Sequence, residues 1–197
     1  SLFFNQNDYR EYLTLLNNYS HKFKIDILAY CLMPNHIHLI ATPRKEKSLA
    51  QAIGETHRNY TRFINFREKW RGYLWQGRFS SYVLDEKYLL AVTRYILLNP
   101  VKAGIVNKPW DYKWSSTKHH MMIDKGLLVK DSFLRELIGN WKDFFNTASS
   151  NNNDIKLFQL HERTGRPLGN NAFIEKLESL LKTNLKKKKA GRKKKEK

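Results

Sequence analysis

Two apolar runs separated by only two residues constrain this chain more than any other feature. "FKIDILAYCLM" (23–33) and "HIHLIAT" (36–42) stand on either side of Pro34-Asn35, which is the spacing and turn chemistry of a β-hairpin. Side chains alternate along a strand, so His36 and His38 share one face while Ile37 and Leu39 share the other. Two imidazoles on one side of a stiff element can grip a metal ion. They can equally be polar residues on the wet face of a half-buried strand, since a two-histidine pattern is short and chance produces it often.

The rest of the chain supplies the partners of this hairpin. Residues 8–19 carry Tyr9, Tyr12, Leu13 and Leu16 at helical spacing, with Asn7 or Asp8 as N-cap. A long helix is predicted over 48–70, with Ser48 as cap and Leu49, Ile53, Tyr60, Phe63 and Ile64 along one stripe. "YLWQGRFSSYVLD" (73–85) reads as a strand or hairpin arm, and Asp85 caps a further helix that Pro100 ends. A tryptophan-bearing loop follows, then a helical pair within 117–146, a polar break at "SSNNND" and a short helix after "TGRPLG". The order gives an α+β fold with a largely antiparallel sheet. A split βαβ design would want a strand before the first helix; the sequence opens at "SLFFNQNDYREYL", so either that strand lies upstream or another element takes its place.

Charge narrows the partner. Lysine and arginine total 36 against 18 acidic residues, a net charge of +18. The stretch 182–197 holds +9 of it, which leaves a body that is still strongly basic. Such a body favours a polyanion, most simply nucleic acid, over an anionic membrane surface. No run approaches the roughly 20 apolar residues of a membrane helix. The single cysteine, Cys31, excludes an internal disulfide, and the expected location is the cytoplasm.

A reactive group must be sought separately, because polyanion binders need not be enzymes. No serine triad, cysteine nucleophile or P-loop signature is present. Among ten tyrosines Tyr95 stands apart, because Asn99 lies one helical turn away on the same side. Tyr60 is its rival, with His57 one turn behind it and Ile64 ahead. Ionising a tyrosine at neutral pH costs about 4 kcal/mol, so a tyrosine nucleophile needs a metal, a base or a positive neighbour. If the helix of Tyr95 packs over the histidine face, His36, His38 and Asn99 offer three neutral ligands, to Mg²⁺ or Mn²⁺ if the remaining shell is oxygen-rich, while imidazole also suits Zn²⁺ or Ni²⁺.

At these residues a family likeness emerges. "AYCLMPNHIHLIATP", "LWQGRFSS" and "RYILLNPVKAGIV", in that order, resemble the single-tyrosine HUH transposases of the IS200-like group, in the branch of REP-associated tyrosine transposases. "WDYKWSS", "TGRPLG" and the lysine-rich end fit that branch too. The resemblance implies a ferredoxin-like antiparallel sheet with helices on one face, here with the first strand absent, and helical C-terminal additions. It implies a catalytic core over 1–115, an extension over 116–181 and a basic tail over 182–197. It assigns Tyr95 as the nucleophile and His36, His38 and Asn99 as the metal ligands. The implied activity is a metal-dependent endonuclease and strand transferase acting on single-stranded DNA near hairpin-forming palindromes, through a 5′-phosphotyrosine. The acting form is a monomer or homodimer.

Two other readings remain open on the residues: a hairpin-binding protein of the same shape that does not cut, and a metal hydrolase that uses bound water. Expected DNA contacts are Trp75 and Arg78, where stacking and charge combine, then Lys113, Arg163 and Arg166. Lys186, Lys187 and Arg192 of the tail would add affinity without reading sequence. Against each stands a plainer role: packing for the tryptophans, a solvated charge for the cations.

Overall fold

The computed structural model describes residues 1–129, 133–147 and 152–186. The described residues are α+β and fall into two compact units, Ser1–Phe79 with Val92–Asn151, and Ser80–Ala91 with Asn152–Lys197. Lys187 and Arg192 lie outside the described residues.

In the first unit the chain runs α1 (Gln6–Phe23), β1 (Ile25–Met33), β2 (His36–Pro43) and α2 (Ser48–Glu68). The first helix starts earlier than its apolar stripe suggests, because Asn5 is the N-cap. Asn5 accepts from the N–H groups of Asn7 and Asp8, while the Asp8 carboxylate accepts from Phe4 and Asn5. That reciprocal arrangement satisfies four donors at once. Ser48, expected as the cap of α2, is its first buried residue instead, and Lys47 occupies the cap position.

The hairpin forms as the sequence predicts. β1 and β2 pair antiparallel, with Leu32 opposite Ile37, Cys31 opposite His38 and Met33 opposite His36; an irregularity lies between Ile27 and Ala29. Ile25, Ile27, Tyr30 and Leu32 join Tyr12 and Leu16 of α1 and Ile53, Tyr60 and Ile64 of α2 in one buried core. Burying each such side chain contributes about 1.5–3 kcal/mol. Tyr12 and Tyr60 meet edge to face at 5.3 Å. Cys31 points to the opposite face, fully buried, and burial pushes its thiol pKa far up.

The sheet of the described residues has two strands, and the outer edge of β1 is sealed by a later segment. Leu32 donates to the Trp114 carbonyl at 2.9 Å, Ser116 donates to Tyr30 at 3.0 Å, and the Tyr112 hydroxyl donates to the Leu32 carbonyl at 2.6 Å. "WDYKWSS" therefore does the work of an edge strand with a single bridge, Cys31 to Ser115.

Residues 73–83 correct the expectation of a strand: their backbone is irregular, and only Leu84 makes a bridge, to Leu168. Leu74, Trp75 and Phe79 pack against the core as separate anchors. Alternating aromatics imitate a strand in sequence, but a strand also needs a ladder partner. α3 (Glu86–Leu97) ends at Leu97, and α4 (Asn99–Lys102) follows. Pro100 thus sits in the first turn of a helix, where its missing N–H is no loss, rather than ending one.

The remaining helices of this unit are α5 (Thr117–His120), α6 (Phe133–Ile138) and α7 (Trp141–Asn146). His120 stacks on Trp141 at 4.6 Å, and Arg94 of α3 lies over Phe144 while donating to its carbonyl at 2.8 Å. In the second unit α8 (Asn152–Thr164) begins inside the stretch expected as a polar break, and α9 (Asn171–Leu181) follows. Gly165 takes φ +65° just past α8, donating to His161 as a helix-ending turn requires. Leu168 then pairs with Val83 and Asp85 at 2.8 Å each. No helix among the described residues is long and apolar enough to cross a membrane.

Candidate functional site

Strand register fixes the histidines. Ile37 and Leu39 pack against the α1–α2 core, so His36 and His38 project from the other side of β2. Their rings stand 4.8 Å apart, nearly perpendicular. His36 Nδ1 lies 2.8 Å from Asn35 Oδ1. With a proton donated there, Nε2 keeps its lone pair, the usual way a second group orients a ligating imidazole. Burial, and then the neighbouring His36, lower the His38 pKa to about 4; burial also lowers that of His36. Both rings are therefore neutral near pH 7, the state in which imidazole coordinates metal.

Tyr95 comes to this face from α3. Its ring lies 6.0 Å from that of His38, edge to face, and is 8% exposed. Lys102, two turns further along, holds its ammonium 5.0 Å over the Tyr95 ring, and burial lowers its pKa. Sequence reasoning missed Lys102. Its signal was available, since positions 95, 99 and 102 share one side of a continuous helical path. That path survives the break at Leu98, because Leu98 donates to Arg94 and Lys102 donates to Leu98, each at 3.0 Å.

Asn99 opens α4, and its side-chain Nδ2 is buried with no hydrogen-bond partner. An N–H donor buried without a partner is costly and calls for an acceptor such as a phosphate oxygen, whereas a cation would be held by the amide oxygen. Among the described residues no group of three His, Cys, Asp or Glu side chains converges. Two neutral imidazoles are a donor pair that suits a divalent cation, and Asn99 stands one helical turn beyond Tyr95.

Tyr60 separates cleanly from Tyr95. It is fully buried between α1 and α2, donates its hydroxyl to the Leu2 carbonyl at 2.8 Å, and burial raises its pKa far up. It is a core residue. His57, its neighbour, stacks on Trp75 at 3.7 Å and contacts the Tyr12 hydroxyl at 3.1 Å.

The expected DNA contacts belong to both units. Trp75 is half-buried, its indole donating to the His57 carbonyl at 3.2 Å, and Arg78 is exposed on the following loop. Lys113 is exposed, 5.0 Å over Trp114 and 3.4 Å from Gln6 Oε1. In the second unit Arg163 is exposed, Arg166 is half-buried with its carbonyl 2.8 Å from His161 Nδ1, and Lys186 is exposed and ion-paired to Glu175 at 2.9 Å.

The chain resembles known proteins over the region that builds this site. The family described as "Transposase IS200 like" matches residues 1–99, which include His36, His38, Tyr95 and Asn99. A curated protein of Haemophilus influenzae, provisionally named a REP-associated tyrosine transposase, is 32% identical over 105 residues; the match covers 48% of this chain and 60% of that protein. No solved structure gives a significant match. The match to half of its length places the chain in the IS200-like transposase family.

Proposed function

We propose that this chain cuts and rejoins single-stranded DNA beside hairpin-forming palindromes, the activity that the family likeness implies, with Tyr95 as the nucleophile. The observation that carries the reading is the ring of Tyr95 standing 6.0 Å from His38, on the face of β2 that bears both imidazoles. Tyr95 loses its phenol proton and its oxygen attacks phosphorus. The bond from phosphorus to the 3′ oxygen breaks, and that oxygen takes up a proton. The products are a 5′-phosphotyrosine and a free 3′-hydroxyl, and a second 3′-hydroxyl reverses the step to join strands.

His36, His38 and Asn99 would hold Mg²⁺ or Mn²⁺, which when bound polarises the phosphate and offsets charge in the transition state. Lys102 favours the phenolate, because a cation beside a phenol lowers the cost of ionising it. Its flexible stem also lets it follow an arriving phosphate. We read residues 1–115 as the catalytic core, 116–181 as a helical extension and 182–197 as a basic tail. Arg78, Lys113, Arg163, Arg166, Lys186, Lys187 and Arg192, with Trp75, would add contacts to the DNA. The acting form is a monomer or homodimer in the cytoplasm.

Incubation with labelled single-stranded hairpin DNA and Mn²⁺, followed by a denaturing gel, tests this reading. A protein-linked band that Tyr95→Phe abolishes supports it, and a band retained in that variant refutes it. The 8% exposure of Tyr95 favours one second reading, a hairpin binder that no longer cuts. It predicts tight binding with no linked band under any divalent ion.

A further inference from the structure

The C-terminal end of α2 and the turn after it carry large rings in open solvent. Phe66 is 90% exposed, Trp70 50% and Tyr73 100%. A folded surface rarely leaves several aromatics together in water without a partner for them. Arg62, Phe66, Lys69 and Trp70 follow one another at helical spacing, and Phe66 and Trp70 with Arg62 border an open concavity of about 560 Å³. The turn is held in shape. Lys69 ends the helix in the left-handed region at φ +56°, Trp70 donates to the Asn65 carbonyl at 2.9 Å, and Asn65 Nδ2 donates to the Gly72 carbonyl at 2.9 Å. Gly72 itself takes φ +108°, which side-chain-bearing residues rarely adopt. Phe4 braces the indole of Trp70 edge to face at 5.5 Å.

The charge around these rings has one sign. From residue 58 to 78 there are six basic residues and one acid, Glu68, which is engaged by Arg67. Arg62, Lys69 and Arg71 are exposed, and no ion pair engages them among the described residues. Exposed rings, one of them braced, interleaved with uncompensated cations are what an unpaired polynucleotide requires: bases stack on the rings and phosphates meet the cations. The patch also lies on α2, whose inner face packs on the Ile37–Leu39 side of the hairpin, whereas His36 and His38 project from the other side.

We infer that Phe66, Trp70 and Tyr73, with Arg62, Lys69 and Arg71, form a second nucleic-acid surface that stacks unpaired bases of single-stranded DNA, separate from the Tyr95 cluster. The inference shares with the proposed function only the choice of DNA as the polymer. It is tested by binding alone, on the full chain carrying Tyr95→Phe, so that a failure to cut and a failure of this surface are read by different experiments.

The probes are a fluorescein-labelled dT20 and an abasic strand of the same length, followed by anisotropy across a salt series. Removing all three rings (F66A/W70A/Y73A) is expected to weaken dT20 binding about 30-fold or more, since each base stacked on an aromatic adds appreciably to affinity. Binding of the abasic strand should stay within about twofold, because phosphate contacts are untouched. Arg62, Lys69 and Arg71 changed together to alanine should weaken both probes and flatten the salt dependence by about two in logarithmic slope. The rings are exposed, so thermal unfolding by circular dichroism should be unchanged in all variants. Equal binding of dT20 by the parent and the ring variant overturns the inference. So does a concentration-dependent dimer, seen by sedimentation, that dissolves when the rings are removed while dT20 binding persists.

Discussion

The two sides of the β1–β2 hairpin treat polar groups differently. Toward α1 and α2 the larger buried polar groups are bonded, Asp8 by Arg67 and two backbone N–H groups, the Tyr60 hydroxyl to Leu2 and the Tyr12 hydroxyl near His57, and Ser20 Oγ of α1 is the exception. Toward α3 and α4 Asn99 Nδ2 and Thr93 Oγ1 are buried and unbonded, and two neutral imidazoles stand near the Tyr95 ring. A satisfied polar network specifies a fold, while an incomplete one waits for a ligand. The contrast teaches that one side of the hairpin carries the core and the other the proposed chemistry, and each variant below should move one property without the other.

The largest contrast is Tyr95→Phe, which is expected to remove the protein–DNA adduct entirely while shifting the melting temperature by no more than about 1–2 °C. Loss of stability on that scale of a core mutation would place Tyr95 with the packing side. Next is Asp8→Ala, which strands Arg67 and two N–H groups around an emptied, fully buried position. Breaking such a pair costs about 3–5 kcal/mol, read by urea unfolding, and adduct formation at low temperature should persist.

Acid should weaken the fold next, through His57 on the α1–α2 side and through His120 against Trp141. Burial lowers the pKa of His57 to about 4, and burial together with His119 and Arg135 lowers that of His120 to about 3. Both stay neutral in the fold while the unfolded chain protonates them near 6.5, so stability falls as pH drops from about 6.5 toward 4. Linkage gives a loss of about 2 kcal/mol from each between pH 7 and pH 5. A melting curve unchanged over that interval would contradict the buried neutral rings. Lys102→Met comes fourth: about tenfold slower adduct formation, with DNA binding nearly intact, because about 1.4 kcal/mol of support for the phenolate is lost. The smallest effect is Tyr60→Phe, which removes one buried hydrogen bond worth about 1 kcal/mol and should leave the adduct yield alone.

Much of this contrast was legible in the sequence, because period-two alternation around Pro34-Asn35 dictates which side each residue faces. The pairing of His38 with Tyr95 was legible only through the family likeness, since nothing local to residues 86–97 says which surface their helix meets. The segment 73–83 misled because Tyr73, Trp75 and Phe79 have strand-like composition, while ladder partners are a tertiary fact. Pro100 misled in the opposite sense, as a proline stops a helix or starts one depending on the residue that turns before it. The polar run at 152–154 joined a helix because Phe158 further along is buried. Propensity at a helix end is weak against that pull.

The lone thiol of Cys31 lies at 0% exposure against Met33, with a sulfur-to-sulfur distance of 3.8 Å. Maleimide dyes react with thiolates they can touch, and this one offers neither access nor charge in the native state. The wild-type chain is therefore a ready blank for labelling: a cysteine introduced at Tyr73 or Arg78 would be the reactive one. A fluorophore could then report strand arrival without first deleting the native sulfur.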